Sequence, residues 1–237
     1  MIDTVQKVAV VTGASRGIGE GLVAGFRRRG YAVVATSRSI TQSDDPDVLA
    51  VAGDIADPAT VERVVDEGLQ RFGRIDTLVN NAGVFIAKPF TEYTERDYAS
   101  IVSVNLTGFF ALTQRAVAQM VKQGTGHVVT ITTSLTENAN SAAPSVLAAL
   151  TKGGLNSATK SLAIEYARRG IRANAVAPGI IRTPMHPVER HRTLGEMLPI
   201  GRMGEVDDVV AAVLYLESAA FVTGEILFVD GGRSAGH

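Results

Sequence analysis

Three glycines near the start of the sequence could bring the backbone close to a phosphate group. The segment TGASRGIGEGLVAGF places Gly13, Gly17 and Gly19 between a predicted strand and a predicted helix. Glycine allows the sharp turn and the close approach, and the following helix N-terminus offers unpaired N–H groups and positive dipole charge. The spacing therefore predicts a turn that binds a pyrophosphate, with a plain tight turn as the alternative.

Short β-branched runs alternate along the whole chain with longer segments of helical period. This alternation is typical of parallel strands joined by crossover helices. The runs are apolar nearly throughout, as strands covered on both faces are. We predict a doubly wound, Rossmann-type α/β fold with a seven-stranded parallel sheet in a three-layer αβα sandwich. The predicted strands are residues 7–12, 31–37, 48–54, 76–82, 127–133, 172–179 and 225–232.

Several helix ends are marked by their residues. Asp57 followed by Pro58 is typical of an N-cap and a first helical position, and Gly73 is expected to end that helix. Gly30 and Gly170 are expected to end two other helices. Each follows a basic cluster, which suits the negative end of the helix dipole.

The composition indicates one globular domain that acts on a small molecule. The chain has 237 residues, of which 46% are hydrophobic and 20% charged, and no polar linker divides residues 1–237. A formal net charge of −1 gives no reason to expect binding to nucleic acid or to a membrane. Cysteine is absent and the four histidines form no metal motif, so no metal site is expected. We also expect no signal peptide or membrane span, and hence a cytoplasmic protein.

The glycine spacing, Gly-x-x-x-Gly-x-Gly, resembles that of the short-chain dehydrogenase/reductase family. Further motifs of that family follow in order: GDIAD at 53–57, NNAG at 80–83, VNLTG at 104–108, a long segment at 152–179 and TGEILFVDGG near the end. The resemblance covers essentially the whole chain. It implies an oxidoreductase that transfers a hydride between a nicotinamide cofactor and a carbonyl or alcohol substrate.

The resemblance also implies that the cofactor contacts residues at the ends of several strands. Asp54 and Ile55 would hold the adenine, and Pro178 with Gly179 the nicotinamide. The segment 81–83, which is Asn81, Ala82 and Gly83, would back the adenosine ribose. Taken singly, Asp54 could instead cap a turn, and Pro178 with Gly179 could form a bend. The predicted cofactor-binding residues are Gly13, Ser15, Arg16, Gly17, Ile18, Gly19, Ser37, Arg38, Asp54, Ile55, Asn81, Ala82, Gly83, Lys152, Pro178, Gly179, Ile181 and Thr183.

The end of the second strand favours NADP(H) over NAD(H). NAD-binding enzymes of this type carry an acidic residue there, which binds the ribose 2′-hydroxyl. Here that position holds Ser37, and Arg38 follows. A guanidinium can pair with a 2′-phosphate, and Arg16 could flank the same group. The alternative is that both arginines are solvated surface charges.

Three residues match catalytic positions of the family. There, a Tyr moves the proton on the substrate oxygen, and the Lys four residues later lowers its pKa from about 10. That Lys matches Lys152, and Asn105 of VNLTG matches the Asn that supports a water chain to it. The hydroxyl that polarises the substrate oxygen is predicted as Ser134, counting back from Lys152. Counting forward from the preceding strand gives Thr133 as the alternate.

The position of the family's Tyr is occupied by Ala148. None of the five tyrosines has a Lys four residues later, and a methyl group has no proton to give. Losing a positioned general acid typically costs roughly 10²–10⁴ in rate. Three explanations remain open: His186 or Tyr93 supplies the proton, the protein binds NADP(H) without turning it over, or the alanine is an engineered substitution. In the second case the protein would be a sensor, scaffold or subunit.

Two further expectations concern the substrate and the assembly. Residues 180–204 resemble the family's substrate loop and mix apolar with basic side chains. The helix that contains Lys152 has apolar or small residues on more than one face, so it needs more cover than its own sheet gives. Since members of the family often pair such helices, we predict a homotetramer or a homodimer. Burial within one subunit is the alternative.

Overall fold

The computed structural model describes residues 5–236 and contains a parallel sheet of seven strands. Their order across the sheet is β3-β2-β1-β4-β5-β6-β7, so the chain starts in the middle and winds outward in both directions. The strands are β1 Val8–Thr12, β2 Ala32–Ser37, β3 Val48–Ala52, β4 Thr77–Asn80, β5 Gly126–Ile131, β6 Ile171–Pro178 and β7 Ile226–Val229.

Helices cover both faces of this sheet and form the two outer layers. They are α1 Gly17–Arg28, α2 Pro58–Phe72, α3 Glu95–Val102, α4 Phe109–Gln123, α5 Val146–Tyr166, α6 His191–Glu196 and α7 Val206–Ser218. Apolar side chains of α2, α4 and α5 pack in one core, and those of α1 and α7 pack in the other. The predicted doubly wound, three-layer fold is confirmed.

The two cores draw on alternate residues of the same strands. In β1, Val8 and Val10 belong to the core under α2 and α4, whereas Ala9 and Val11 belong to the core under α1 and α7. Successive side chains of a strand point to opposite faces, so a strand buried on both sides is apolar at every position. This explains why the apolar runs located the strands.

The strands are shorter than predicted at their carboxyl ends. Asp54, Ala82 and Thr133 lie in loops beyond β3, β4 and β5. Asp54, for example, uses its side chain to accept a hydrogen bond from the Ala56 N–H at 3.0 Å, which forms a turn. These residues are therefore at the edge of the sheet where a ligand of such a fold is held.

The helix ends agree well with the sequence pattern. Asp57 caps α2 by accepting from the Ala59 N–H at 3.1 Å, and Gly73 ends that helix with a positive φ of 78°. Helix α1 ends at Arg28, two residues before Gly30. Helix α5 ends at Tyr166, and a short 3₁₀ turn continues to Gly170.

One helical run, 95–123, joins α3 and α4 through the π-helical turn Ser103–Gly108. By length and composition alone it could cross a membrane. It packs instead on the sheet, where Leu112, Ala116 and Met120 are fully buried. The π turn widens the helix at Asn105, a distortion that is frequent at functional sites.

A polar cluster lies at the opposite, amino-terminal edge of the sheet. Glu217 of α7 accepts hydrogen bonds from Tyr31 at 2.8 Å and Thr77 at 2.9 Å, and it also contacts His127 Nδ1 at 2.7 Å. Burial raises the pKa of Glu217, but the bonds from His127 and these hydroxyls outweigh it and lower that pKa to about 2. The cluster ties α7 to β4 and β5, remote from the ligand edge.

Candidate active site

The glycine turn after β1 leaves the first turn of α1 open to an anion. Within residues 5–236 no side chain caps the helix N-terminus, where Arg16 is extended. A methyl group at Gly19 would collide with the Gly13 carbonyl, and one at Gly13 would lie 2.9 Å from Asn81 Nδ2. The turn is therefore a narrow backbone cradle that only glycine can form, and it fits the pyrophosphate of a dinucleotide.

Thr12, which sequence reasoning missed, fixes this cradle to the neighbouring strand. Its hydroxyl accepts from the backbone N–H groups of Asn81 and Ala82, both at 2.9 Å. Asn81 in turn donates from its side chain to the Thr12 carbonyl at 2.8 Å. The predicted ribose residues are thus held against the predicted phosphate turn. The position of Thr12, last in a strand and just before the first glycine, was the available signal.

The loop after β2 meets the glycine turn at the predicted 2′-phosphate position. Ser39 Oγ donates to Ser15 Oγ at 3.2 Å and joins the two segments. Arg16 and Arg38, next to these serines in sequence, are both exposed. The Ser37 hydroxyl is sealed from solvent and has no partner within residues 5–236. An anion at this junction would meet two solvent-accessible positive charges.

The adenine residues lie on the loop after β3. Ile55 is buried, and a methyl group at Gly108 of the π turn would lie 2.9 Å from its side chain. Asp54 is half-buried and forms the turn described above. Asp54 therefore caps a turn, as the alternative interpretation of the sequence proposed. This uses one carboxylate oxygen and leaves the second for other contacts.

Lys152 of α5 reaches the carboxyl ends of β4 and β5. Its Nζ donates to the Ile131 carbonyl at 2.7 Å, and a methyl group at Gly83 would lie 3.1 Å from the same nitrogen. Asn105 Oδ1 accepts from the Val84 N–H at 2.8 Å, next to Gly83. The structure thus brings Lys152 and Asn105, two predicted catalytic residues, close to Gly83, a predicted cofactor-binding residue.

Burial changes the proton affinity of Lys152. Removal from solvent lowers the pKa of its ammonium from 10.5 to about 8, and no charged side chain of the described residues opposes the change. A group with this pKa exchanges protons readily near neutral pH. Its hydrogen bond to Ile131 leaves two further N–H groups when the side chain is protonated.

Thr151, also missed from the sequence, holds Asn105 in place. Its hydroxyl accepts from Asn105 Nδ2 at 3.2 Å and donates to the Leu147 carbonyl at 2.8 Å. Asn105 Nδ2 also donates to the Val84 carbonyl at 3.1 Å. Every polar atom of the Asn105 side chain is therefore bonded, which fixes the π turn against α5.

The candidate hydroxyls follow β5 directly. Ser134 is only 1% exposed, and its hydroxyl has no partner in the described part of the chain. Thr133 is half-buried, and its oxygen accepts from the Leu135 N–H at 3.3 Å. Ala148, one helical turn before Lys152, is 2% exposed, so the structure is closed around its methyl group.

The nicotinamide residues form the loop after β6. Pro178 ends that strand, and Gly179 packs so closely that a methyl group there would lie 2.8 Å from Asp230 Cα. Ile181 is buried and pairs with Gly204 in a short bridge. Thr183 approaches the glycine turn, since a methyl group at Gly17 would lie 3.4 Å from its side chain. The loop therefore spans from the sheet to the phosphate cradle, and Ile18 packs against the core beneath it.

The two substitute acids are less well placed to give a proton. The Tyr93 hydroxyl already donates to the Ile86 carbonyl at 2.8 Å. His186 is half-buried, and burial together with the charge of Arg190 lowers its pKa, so its ring is neutral at neutral pH. Neither side chain is hydrogen-bonded to Lys152 within residues 5–236.

Comparison with known proteins gives relatives along the full chain. A family model described as enoyl-(acyl carrier protein) reductase matches residues 13–234. The 3-oxoacyl-(acyl-carrier-protein) reductase FabG of Thermotoga maritima is 35% identical over 95% of this chain and 97% of its own. The 3beta-hydroxysteroid dehydrogenase 1 of Eggerthella lenta is also 35% identical, over 98% of this chain and 95% of its own.

Solved structures that contain a nicotinamide cofactor have the same fold. The 3-ketoacyl-(acyl-carrier-protein) reductase of Brucella melitensis, complexed with NADH, superposes with a TM-score of 0.90 at 32% identity and covers 96% of this chain and 98% of its own. ElxO with NADP bound gives a TM-score of 0.91 at 28% identity, over 98% of this chain and 100% of its own. The family model and these relatives cover nearly the whole chain, including the glycine turn and Lys152. The chain therefore belongs to the short-chain dehydrogenase/reductase family of nicotinamide-dependent oxidoreductases.

Proposed function

We propose that this protein is an NADP(H)-dependent oxidoreductase that interconverts a carbonyl compound and an alcohol, with the proton moved by Lys152 instead of a tyrosine. The observation that carries the proposal is the position of Lys152, half-buried beside Gly83 and Asn105 at the carboxyl edge of the sheet. The named reductase and dehydrogenase relatives support this reaction class.

The bound cofactor would supply the hydride for the carbonyl carbon. The glycine turn and the open N-terminus of α1 would hold its pyrophosphate. Exposed Arg16 and Arg38 would pair with its 2′-phosphate, and the absence of a carboxylate at Ser37 removes the repulsion that NAD-specific sites use. The loop from Asn81 to Gly83 would back the adenosine ribose. Lys152, with Pro178 and Gly179, would hold the nicotinamide half.

The proton step follows from the state of Lys152. During reduction, its ammonium donates a proton through water to the carbonyl oxygen, and the resulting amine regains a proton from solvent. During oxidation the amine accepts the proton of the alcohol. The pKa of about 8 supports both directions, because near neutral pH the side chain is present both as the ammonium and as the amine. Tyr93 is a weaker donor, since its hydroxyl proton is engaged by Ile86.

The polarising hydroxyl is assigned to Ser134, with Thr133 as the alternate. The Ser134 hydroxyl has no partner among the described residues but is nearly sealed from solvent, whereas Thr133 is more accessible. Ser134→Ala and Thr133→Val separate the two. The variant that removes the polarising hydroxyl lowers kcat by roughly 10²-fold, as loss of one such donor does.

Activity assays test the function directly. The protein is incubated with NADPH and a panel of aldehydes, ketones and 3-oxo esters, and cofactor oxidation is followed. We expect turnover in the wild type and in Tyr93→Phe and His186→Ala, and its loss in Lys152→Met. Tight NADPH binding without oxidation of any substrate would contradict the proposal and favour a binding protein without catalysis, an alternative that rests on the enclosed Ala148.

Cofactor preference has its own test. We expect Arg38→Ala to weaken NADPH binding by roughly 10-fold. This is the lower part of the range for a hydrogen bond to a charged group, because the Arg38 side chain is exposed and solvent screens it. NADH binding should not change. Tighter binding of NADH than of NADPH by the wild type would contradict the preference.

We further propose a cytoplasmic homotetramer or homodimer. Apolar side chains are exposed along the outer helices, among them Phe110 of α4 and Leu150 and Ile164 of α5. A second copy would cover these faces. Light scattering at micromolar concentration should give two or four subunits, and a monomer would contradict this part of the proposal.

A further inference from the structure

The segment 131–136, which runs from the end of β5 through a 3₁₀ turn, is bonded to helix α5 at both of its ends. At the first end, Lys152 Nζ donates to the Ile131 carbonyl at 2.7 Å. At the second end, Asn156 Nδ2 donates to Thr136 Oγ1 at 3.1 Å. The two candidate polarising hydroxyls lie between these bonds. One helix therefore holds the segment that carries them.

The two bonds come from successive turns of α5. Lys152 and Asn156 are four residues apart, so their side chains leave the helix on the same side, about 6 Å apart along its axis. The helix also lies close to the second end, since a methyl group at Gly153 would lie 3.9 Å from Thr136 Cγ2. Two bonds at this separation fix both the place and the direction of the segment, whereas the Lys152 bond alone would leave it free to pivot.

Thr136 passes the contact from Asn156 on to the candidate hydroxyls. Its own hydroxyl donates to the Thr133 carbonyl at 2.9 Å. The Ser134 carbonyl accepts from the backbone N–H groups three and four residues later, at 3.1 and 3.2 Å. These bonds make the turn a single unit, so a shift of Thr136 displaces Thr133 and Ser134 with it.

The amide of Asn156 is unfavourable for folding where it lies. Only 9% of the residue is exposed, and its Oδ1 is sealed from solvent without a partner in the described part of the chain. A buried oxygen without a donor costs free energy, and a leucine of similar size would avoid that cost. A polar residue kept at such a place favours a role in the site, because functional residues often reduce stability.

We propose that Asn156 is a positioning residue of the active site, which acts through Thr136 to hold the polarising hydroxyl at a fixed place relative to Lys152. A hydroxyl stabilises charge on the substrate oxygen only when its O–H points at that oxygen, so a small displacement lowers the rate of the chemical step. Binding of substrate and cofactor depends on other contacts and should change little. This inference rests on the proposed oxidoreductase function and adds a residue to its site.

A series of substituted benzaldehydes tests the proposal in the full-length protein. Single-turnover oxidation of NADPH is measured for wild type and Asn156→Leu with 4-methoxybenzaldehyde, benzaldehyde and 4-nitrobenzaldehyde. With the 4-methoxy compound we expect a rate lowered roughly 10-fold, less than the roughly 10²-fold loss for removing a polarising donor outright. The 4-nitro compound has an electron-poor carbonyl carbon that needs less polarisation, so its rate should fall less than about threefold. NADPH affinity by calorimetry should stay within about twofold of wild type.

Variants of Thr136 show whether Asn156 acts through this residue. Thr136→Val removes the hydroxyl and should cause the same loss as Asn156→Leu, and the double variant should lose no more than either, because all three break one chain of bonds. Thr136→Ser keeps the hydroxyl and should recover most of the rate. Thr159→Val is the matched control, since it removes a buried hydroxyl of α5 that bonds only within its own helix. Losses that add in the double variant, or equal losses across the three aldehydes, would overturn the proposal.

Hydrogen exchange separates this inference from the proposed function, because it does not depend on turnover. Exchange of the backbone amides of residues 131–138 is followed by mass spectrometry in the protein saturated with NADPH. We expect exchange at least about 10-fold faster in Asn156→Leu than in wild type, with α1 and α7 unchanged, and equal exchange would overturn the proposal. If exchange is faster but wild type reduces no substrate, the proposed function fails and the contact from Asn156 stands. If wild type and Asn156→Leu reduce the aldehydes equally fast, the positioning role fails and the proposed function stands.

Discussion

Replacing Lys152 by methionine should stabilise the protein near neutral pH. Burial lowers the pKa of the Lys152 ammonium from 10.5 to about 8, which corresponds to about 3 kcal/mol of unfavourable burial of the charged form. Methionine has a similar length and no charge. It loses the hydrogen bond to the Ile131 carbonyl, a contribution of about 1 kcal/mol. Because the side chain is half-buried and partly screened, we expect a net gain of about 1 kcal/mol.

The stability gained by Lys152→Met should depend on pH. Below about pH 8 the lysine is charged in both the folded and the unfolded state, so the folded wild type bears the full cost of burial. Between pH 8 and 10.5 the folded protein releases the proton and the unfolded chain retains it, so the wild type gains stability as pH rises. The advantage of Lys152→Met should therefore be present near pH 7 and absent at pH 10.5.

Urea unfolding of both proteins at these two pH values measures the effect. Lys160→Met is the control, since Lys160 is exposed on the same helix and its replacement should change the free energy of unfolding by less than about 0.5 kcal/mol. If Lys152→Met destabilises the protein equally at both pH values, the reasoning about its buried charge is refuted. The expected pairing of higher stability with lost activity is typical of functional residues.

Three further predictions concern other parts of the structure. Gly19→Ala places a methyl group against a backbone carbonyl of the glycine turn, so calorimetry should show NADPH affinity lowered at least about 100-fold, without unfolding by circular dichroism. Thr151→Val removes the acceptor of the Asn105 amide and should lower kcat about 10-fold, whereas Thr159→Val, which loses only the bond to its own helix, should not. Glu217→Gln should lower the free energy of unfolding by about 3 kcal/mol near neutral pH, and urea titrations should show this difference vanishing as pH falls from 4.5 to about 2.

The fold could be predicted because its signals are local. Strands buried on both faces are apolar at every position, and Asp57, Pro58 and Gly73 mark the ends of α2 through their own backbone preferences. The predicted strand ends, at Asp54 and Thr133, lie beyond the observed ones because side-chain hydrogen bonds to nearby N–H groups end the ladder there. Such bonds depend on the folded geometry and leave little trace in apolar periodicity.

The candidate site could be predicted only where a motif carried it. The glycine turn, Asn105 and Lys152 match family motifs, and the structure brings the last two to the same point beside Gly83. Thr12 and Thr151 were missed, since a threonine in a strand or a helix is common and its partners are distant in sequence.

The proposed role of Lys152 is to move the proton in a chain with alanine at position 148. The most direct test is a single-turnover measurement of NADPH oxidation by a reactive ketone across a range of pH. We expect a rate that is constant below about pH 8 and falls about tenfold per pH unit above it, because Lys152 loses its proton there and the ammonium is the proton donor. The reverse reaction should rise over the same interval. A rate without inflection near pH 8, or one unchanged in Lys152→Met, would contradict it.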